Sequence, residues 1–183
     1  MENKQYLRLC LEIGGTNIVS AIAEVTKDQL TASEIVKIIS ERKIKNLNFE
    51  QASKEIKAFA CPSTTNGVTS IGISMFGPID LKKSSTTFGA VLKGTCEVKS
   101  TWVGKSIALE LKEHLGVPLE NIFVDTDVNT ACMAEIFLGG HPLSDPYDDN
   151  VAYITVGTGV GVGLVINGKP IHGIMHPEGG HIR

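Results

Sequence analysis

Apolar positions fall in short runs broken by glycine, proline and small polar residues. Leu7 to Ile13 forms one run, Gly14-Gly15-Thr16 interrupts it, and Ile18 to Val25 resumes it, a pattern that predicts two strands joined by a tight glycine turn. Ile35 to Ile39 predicts a third strand. Asn48 can then cap a helix whose apolar positions include Phe49, Ala52, Ile56 and Phe59 and which ends before Pro62. Ser70 to Ser74 predicts a strand, and Met75 to Asp80 an irregular loop in which Gly77 and Pro78 oppose regular pairing. Gly104 to Leu115 has helical spacing at Ile107, Ala108, Leu111 and Leu115, with Gly116 placed to end it and Pro118 to forbid continuation.

The remainder reads as a strand at Ile122 to Thr126 and a helix at Val128 to Leu138, closed by Gly139-Gly140. A polar loop at His141 to Asn150 follows, then strands at Val151 to Val156 and Val162 to Ile166. Asn167-Gly168 is a two-residue hairpin signal leading into Lys169 to Ile171. The device of strand, glycine and threonine turn, and strand occurs near residue 14 and again near residue 158, which points to a duplicated, two-lobed α/β architecture. The expected lobes are 1–124 and 125–183; the second is short for a domain, and the ending Gly179-Gly180-His181-Ile182-Arg183 has no closing element.

Composition narrows the partners. The 17 basic and 20 acidic residues give a formal charge of -3, so no electrostatic footprint for nucleic acid is present. No apolar run approaches the ~18 residues of a membrane span, and the first residues lack a signal-peptide layout, so a cytoplasmic protein is expected. Cys10, Cys61, Cys96 and Cys132 are scattered and read as single reduced thiols.

The two glycine turns carry the chemistry. Phosphate needs several backbone N–H groups aimed at one spot, and glycine lets the backbone approach closely. Glu12-Ile13-Gly14-Gly15-Thr16 and Thr155-Val156-Gly157-Thr158-Gly159 both meet this need, and two cradles suit a triphosphate. Glu12 would repel phosphate unless a divalent cation intervenes, which suggests Mg2+ brought in with ATP. The dinucleotide fingerprint fails on spacing, since Gly157 to Gly163 alternates at every second position. A P-loop ending at Gly104-Lys105-Ser106 would need glycine where Lys99 stands. The ordinary alternative for both turns is a hairpin connection with no ligand.

These residues resemble the ROK sugar kinases, within the actin/hexokinase-like (ribonuclease H-like) fold. Leu11 to Thr16 looks like that family's first phosphate motif, in the form with Glu found in its bacterial-type fructokinases. Gly72 to Asp80 is similar to the fructokinase sugar loop, and Ser85-Thr86-Thr87-Phe88-Gly89 follows it as in that group. Asp125 to Ala131 resembles the catalytic stretch, Ile154 to Gly163 the second phosphate motif, and His176-Pro177-Glu178-Gly179-Gly180-His181 a sugar and zinc segment. One departure lies at Thr95-Cys96-Glu97-Val98-Lys99, where the group has Thr-Pro-Lys. The family's remaining zinc ligands, adenosine motif and closing helix have no counterpart up to Arg183.

The resemblance implies ATP-dependent phosphorylation of a hexose, fructose first, with Asp127 as the base that takes the hydroxyl proton. It implies nucleotide contacts at Glu12, Gly14, Gly15, Thr16, Thr155, Gly157, Thr158 and Gly159, and substrate contacts at Gly77, Pro78, Asp127, Glu178 and His181. It also implies structural Zn2+ held in part by His181, and a homodimer. From the sequence alone Asp127 could equally be the N-cap of its helix, and Glu178 and His181 ordinary loop residues. A glucokinase or amino-sugar kinase of the family, or a non-catalytic sugar-binding paralogue, is the competing reading. Thr126, where such glucokinases carry Asn, favours fructokinase, and only about ten residues precede the first motif, too few for the helix-turn-helix of the family's repressors.

Overall fold

The computed structural model describes residues 6–27, 34–46, 48–61, 67–94, 97–138, 150–157, 159–172 and 179–181. Strands β1 (Tyr6–Ile13), β2 (Asn17–Lys27), β3 (Glu34–Lys45), β4 (Val68–Met75) and β5 (Ile122–Thr126) form one sheet in the order β3-β2-β1-β4-β5. β1 runs antiparallel to β2 and parallel to β4, and β4 is parallel to β5. The expected third strand is longer than its apolar run, because β2 pairs with it as far as Lys45.

One face of this sheet is the core. Leu7, Leu9, Leu11 and Ile13 alternate inward along β1 and meet Phe49, Ala52 and Ile56 of α1 (Phe49–Ala60) and Ile107 and Leu111 of α2 (Ile107–Leu115). The caps follow the sequence: Asn48 accepts from the Gln51 N–H at 2.9 Å, and Gly116 closes α2 with φ of 68°. α2 starts three residues later than its periodicity implies. Val91 takes the Gly104 N–H at 2.8 Å, Ala90 bridges to Ser106, and the Ser106 hydroxyl caps the Leu109 N–H at 3.1 Å. The Glu97–Trp102 segment, which shows no helical periodicity, is a 3-10 turn that drives the fully buried Trp102 between Phe49 and Phe76, at ring separations of 5.0 and 5.6 Å.

α3 (Asp127–Leu138) leads from β5 to a second, antiparallel sheet of β6 (Val151–Val156), β7 (Val160–Ile166) and β8 (Lys169–Pro170). The boundary expected at residue 124 falls inside β5, so Asp125 and Thr126 are strand residues of the first sheet. Asn167 and Gly168 have φ of 51° and 68°, the pair of positive angles that a two-residue hairpin turn requires. Cys132 and Ile136 of α3 meet Val165 of β7 in a small second core. Cys10, Cys61 and Cys132 are free thiols, while Cys96, Gly139-Gly140 and the loop expected at His141 to Asn150, all but its last residue, lie outside the described residues. Among the described residues, no helix is long and apolar enough to cross a membrane.

Candidate active site

Three neighbouring parallel strands, β1, β4 and β5, carry Glu12, Gly14, Gly15, Thr16, Gly77, Pro78 and Asp127 of the expected site residues at or just beyond their carboxyl ends, the edge at which open α/β sheets bind ligands. β1 ends in Gly14-Gly15-Thr16, β4 in Phe76-Gly77-Pro78, and β5 in Asp127 at the head of α3. The loop expected to contact sugar therefore lies between the first glycine turn and the candidate base. The Phe76 N–H bonds to the Ile13 carbonyl at 3.0 Å and ties that loop to the turn.

The last turns of these strands also present polar groups on the sheet face turned away from α1. Glu12, Ser74 and Asp125 occupy one rung of the sheet and line a groove of about 740 Å3 with Cys10, Phe123 and Thr130. Two strand spacings of roughly 4.8 Å separate the backbones of Glu12 and Asp125. Asp125 accepts from the Thr126 N–H at 2.7 Å and Asn129 Nδ2 at 3.1 Å, and its second oxygen is 2.8 Å from His172 Nε2. Ser74 and Thr130 bond through their hydroxyls, which fixes the first turn of α3 to the end of β4.

Asp127 is half-buried as the first residue of α3, and its carboxylate accepts from the Val128 N–H at 2.9 Å. The cap position belongs to Thr126, whose hydroxyl faces the Asn129 N–H at 3.4 Å. The buried Asn129 also reaches the Ile171 carbonyl at 3.4 Å, while its Oδ1 is bonded to nothing among the described residues. A buried acceptor of this kind calls for a donor.

The second glycine run divides into two roles. Gly157 and Gly159 form the β6–β7 tip, where the Gly157 N–H meets the Gly159 carbonyl at 2.9 Å and open space surrounds both Cα atoms. Gly161 and Gly163 instead lie against the head of α3: a Cβ on Gly163 would stand 2.1 Å from the Val128 carbonyl oxygen. Gly180 approaches the Val160 carbonyl just as closely, so Gly179–His181 crosses β7 beside the second turn. Thr155 is exposed at the end of β6, opposite Gly161. Thr158 and Glu178 lie outside the described residues, as does the His181 side chain. No bond joins the two glycine turns directly among the described residues; α3 connects them, through β4 on one side and β7 on the other.

Among the described residues, no group of three or more His, Cys, Asp or Glu could hold a metal ion, and His181, expected to be one ligand of a zinc site completed elsewhere, has its side chain outside them. Asn46, Lys99 and His172 enter the site region without having been expected there, and Asn129, inside the stretch that resembles the catalytic one, had no role assigned to it. The Thr-Pro-Lys departure had marked the Lys99 segment but gave no direction for its side chain.

The mixed sheet, its continuation through α3 into a second sheet, and two hairpin turns define an α/β kinase fold of the actin/hexokinase-like class. A glucokinase of Streptomyces griseus, solved with glucose and AMPPNP, superposes with a TM-score of 0.66 at 26% identity over 97% of this chain and 50% of its own. The ROK family model matches residues 8–183, and the chain belongs to the ROK family. It is 34% identical to a fructokinase of Zymomonas mobilis over 99% of its length and 37% identical to a fructokinase of Lactococcus lactis over 94%. The chain spans about half the length of these relatives, 55% and 51% respectively.

Proposed function

We propose that the complete protein transfers the γ-phosphoryl group of ATP to the primary hydroxyl of a hexose, with D-fructose as the favoured acceptor. The observation that carries this reading is the strand order β1-β4-β5, which sets a glycine turn, a Gly-Pro loop and an aspartate side by side at one sheet edge. In the proposed site Gly14, Gly15 and Thr16 on one side, and Thr155, Gly157, Thr158 and Gly159 on the other, direct N–H and hydroxyl groups to the triphosphate. Gly77, Pro78, Glu178 and His181 contact the sugar, and Asp127 takes the proton of the attacking hydroxyl. Glu12, an exposed carboxylate at the end of β1, is the hard oxygen donor fit to hold Mg2+, which supplies charge neutralisation to the phosphates. Phosphoryl transfer asks the protein mainly for positioning, and α3 supplies it by tying Asp127 to both sheets. The fructokinase relatives and Thr126 support fructose over glucose.

The same reading makes the 183-residue chain inactive alone, since half of each relative's length has no counterpart in it. It also places the complete enzyme in the cytoplasm as a zinc-bearing homodimer. A coupled ADP-release assay with fructose, glucose and mannose tests both the activity and the acceptor. In a complete form, Asp127→Ala is expected to lower kcat by roughly a hundredfold or more while the affinity for Mg-AMPPNP changes little. Turnover unchanged by that substitution would remove Asp127 from the role of base, and robust activity of the 183-residue chain would refute its inactivity.

A further inference from the structure

The first glycine turn is held from one side. The Asn46 side chain donates to the Gly14 carbonyl at 2.8 Å, the Asn46 N–H donates to the Thr16 carbonyl at 2.9 Å, and Lys99 Nζ donates to the Gly15 carbonyl between them. In a trans peptide the carbonyl and the following N–H point in opposite directions. Drawing the Gly14 and Gly15 carbonyls inward therefore turns the Gly15 and Thr16 N–H groups outward, and among the described residues neither of those two has an acceptor.

Lys99 is no surface lysine: the residue is 6% exposed, and its ammonium lies 5.1 Å from the centre of the Phe76 ring. Burying an ammonium carries a desolvation cost that an apolar side chain of similar length avoids. The charge thus sits under the first glycine turn, whose Gly15 and Thr16 N–H groups suit an anion, and beside the residue that opens the Gly77-Pro78 loop. The geometry points to Lys99 as the charged positioning residue of this turn. It fixes the Gly15 peptide so that the Thr16 N–H faces a phosphate oxygen, and it adds a positive charge behind that oxygen. This inference rests on the proposed assignment of the turn to nucleotide phosphate.

The test titrates the 183-residue chain with magnesium tripolyphosphate, which needs no adenosine contacts, and follows the amide resonances of Gly14, Gly15 and Thr16. The native chain should show saturable shifts at these amides. Lys99→Met and Lys99→Gln should each weaken binding by about tenfold or more, and Lys99→Arg should stay within about threefold of the native chain. Gln can still hydrogen-bond the Gly15 carbonyl but carries no charge, so native-like binding by that variant would overturn the inference while leaving the phosphate turn intact. Should Met prevent folding, the comparison of Gln with Arg decides, with spectral dispersion reporting that both are folded. A native chain whose turn amides do not respond at all would remove the phosphate assignment itself, and the inference with it.

Discussion

Gly163 on β7 lies so near the carbonyl of Val128 that a methyl group at its Cα would stand 2.1 Å from that oxygen and 2.5 Å from its carbon. The obstacle is backbone in the first turn of α3, which cannot rotate aside as a side chain could. Gly163→Ala is accordingly expected to destabilise the chain by about 3 kcal/mol or more, read from urea unfolding. Gly157, at the tip of the same hairpin with nothing within 4 Å, is the control: its replacement by Ala should change stability by less than about 0.5 kcal/mol. Equal losses at the two positions would contradict the packing of β7 on α3.

Trp102 donates its indole N–H to Asn46 Oδ1 at 3.2 Å, and Asn46 in turn holds the Gly14 carbonyl. Trp102→Phe keeps an aromatic ring between Phe49 and Phe76 but leaves a buried amide oxygen without its donor and a void where the second ring stood. A loss of roughly 2–3 kcal/mol is expected in urea unfolding. Because the Asn46 relay ends on the turn, the Gly14 amide, bonded to the Asn17 carbonyl at 2.9 Å, should also exchange with solvent faster in this variant. Unchanged exchange there would show that the turn does not depend on the relay.

Much of this architecture is legible in the chain itself. β1 and β2, the Asn48 cap, the Gly116 stop and the Asn167-Gly168 turn are local events, each fixed by the steric or hydrogen-bonding character of one or two residues. What periodicity cannot show is what a residue meets from a distant part of the sequence. The alternating glycines from 157 to 163 read as one phosphate cradle, yet Gly161 and Gly163 are small because α3 presses on them. Lys99 has no helical or strand spacing to mark it, and the Gly15 carbonyl that its side chain meets lies 84 residues earlier in the chain. The row of Glu12, Ser74 and Asp125 exists only once strand order and register are known.

His172 joins the chain beyond β8 to the first sheet through Asp125, at 2.8 Å. Both groups are partly exposed, which keeps the pair's contribution modest. His172→Ala is expected to cost about 0.5–1.5 kcal/mol, and a double-mutant cycle with Asp125→Asn measures the coupling. Strict additivity in that cycle would mean that the bond does not tie the two sheets together.

The pH dependence of the Gly77-Pro78 loop follows from Asp80 beyond it. Burial tends to raise the Asp80 carboxyl's pKa, but bonds from the Ser85 and Thr87 hydroxyls and the Lys82 N–H outweigh it, and the group is held below its ordinary value. A carboxylate depressed in this way adds stability that is fully present above its unfolded pKa, near 4, and is lost as pH falls through the lower folded value. The Thr87 hydroxyl at 2.7 Å and the Lys82 N–H at 3.0 Å are the bonds that protonation weakens. Thermal unfolding of the native chain and of Asp80→Asn should thus differ by about 1 kcal/mol at neutral pH, allowing for solvent screening, and converge at roughly pH 3 and below. Glu110 is depressed as well, against burial, through Lys57 and Ser53, and it lowers both proteins together, so only their difference reports on Asp80. A difference that persisted unchanged into acid would mean that the Asp80 carboxylate's charge does not hold this loop.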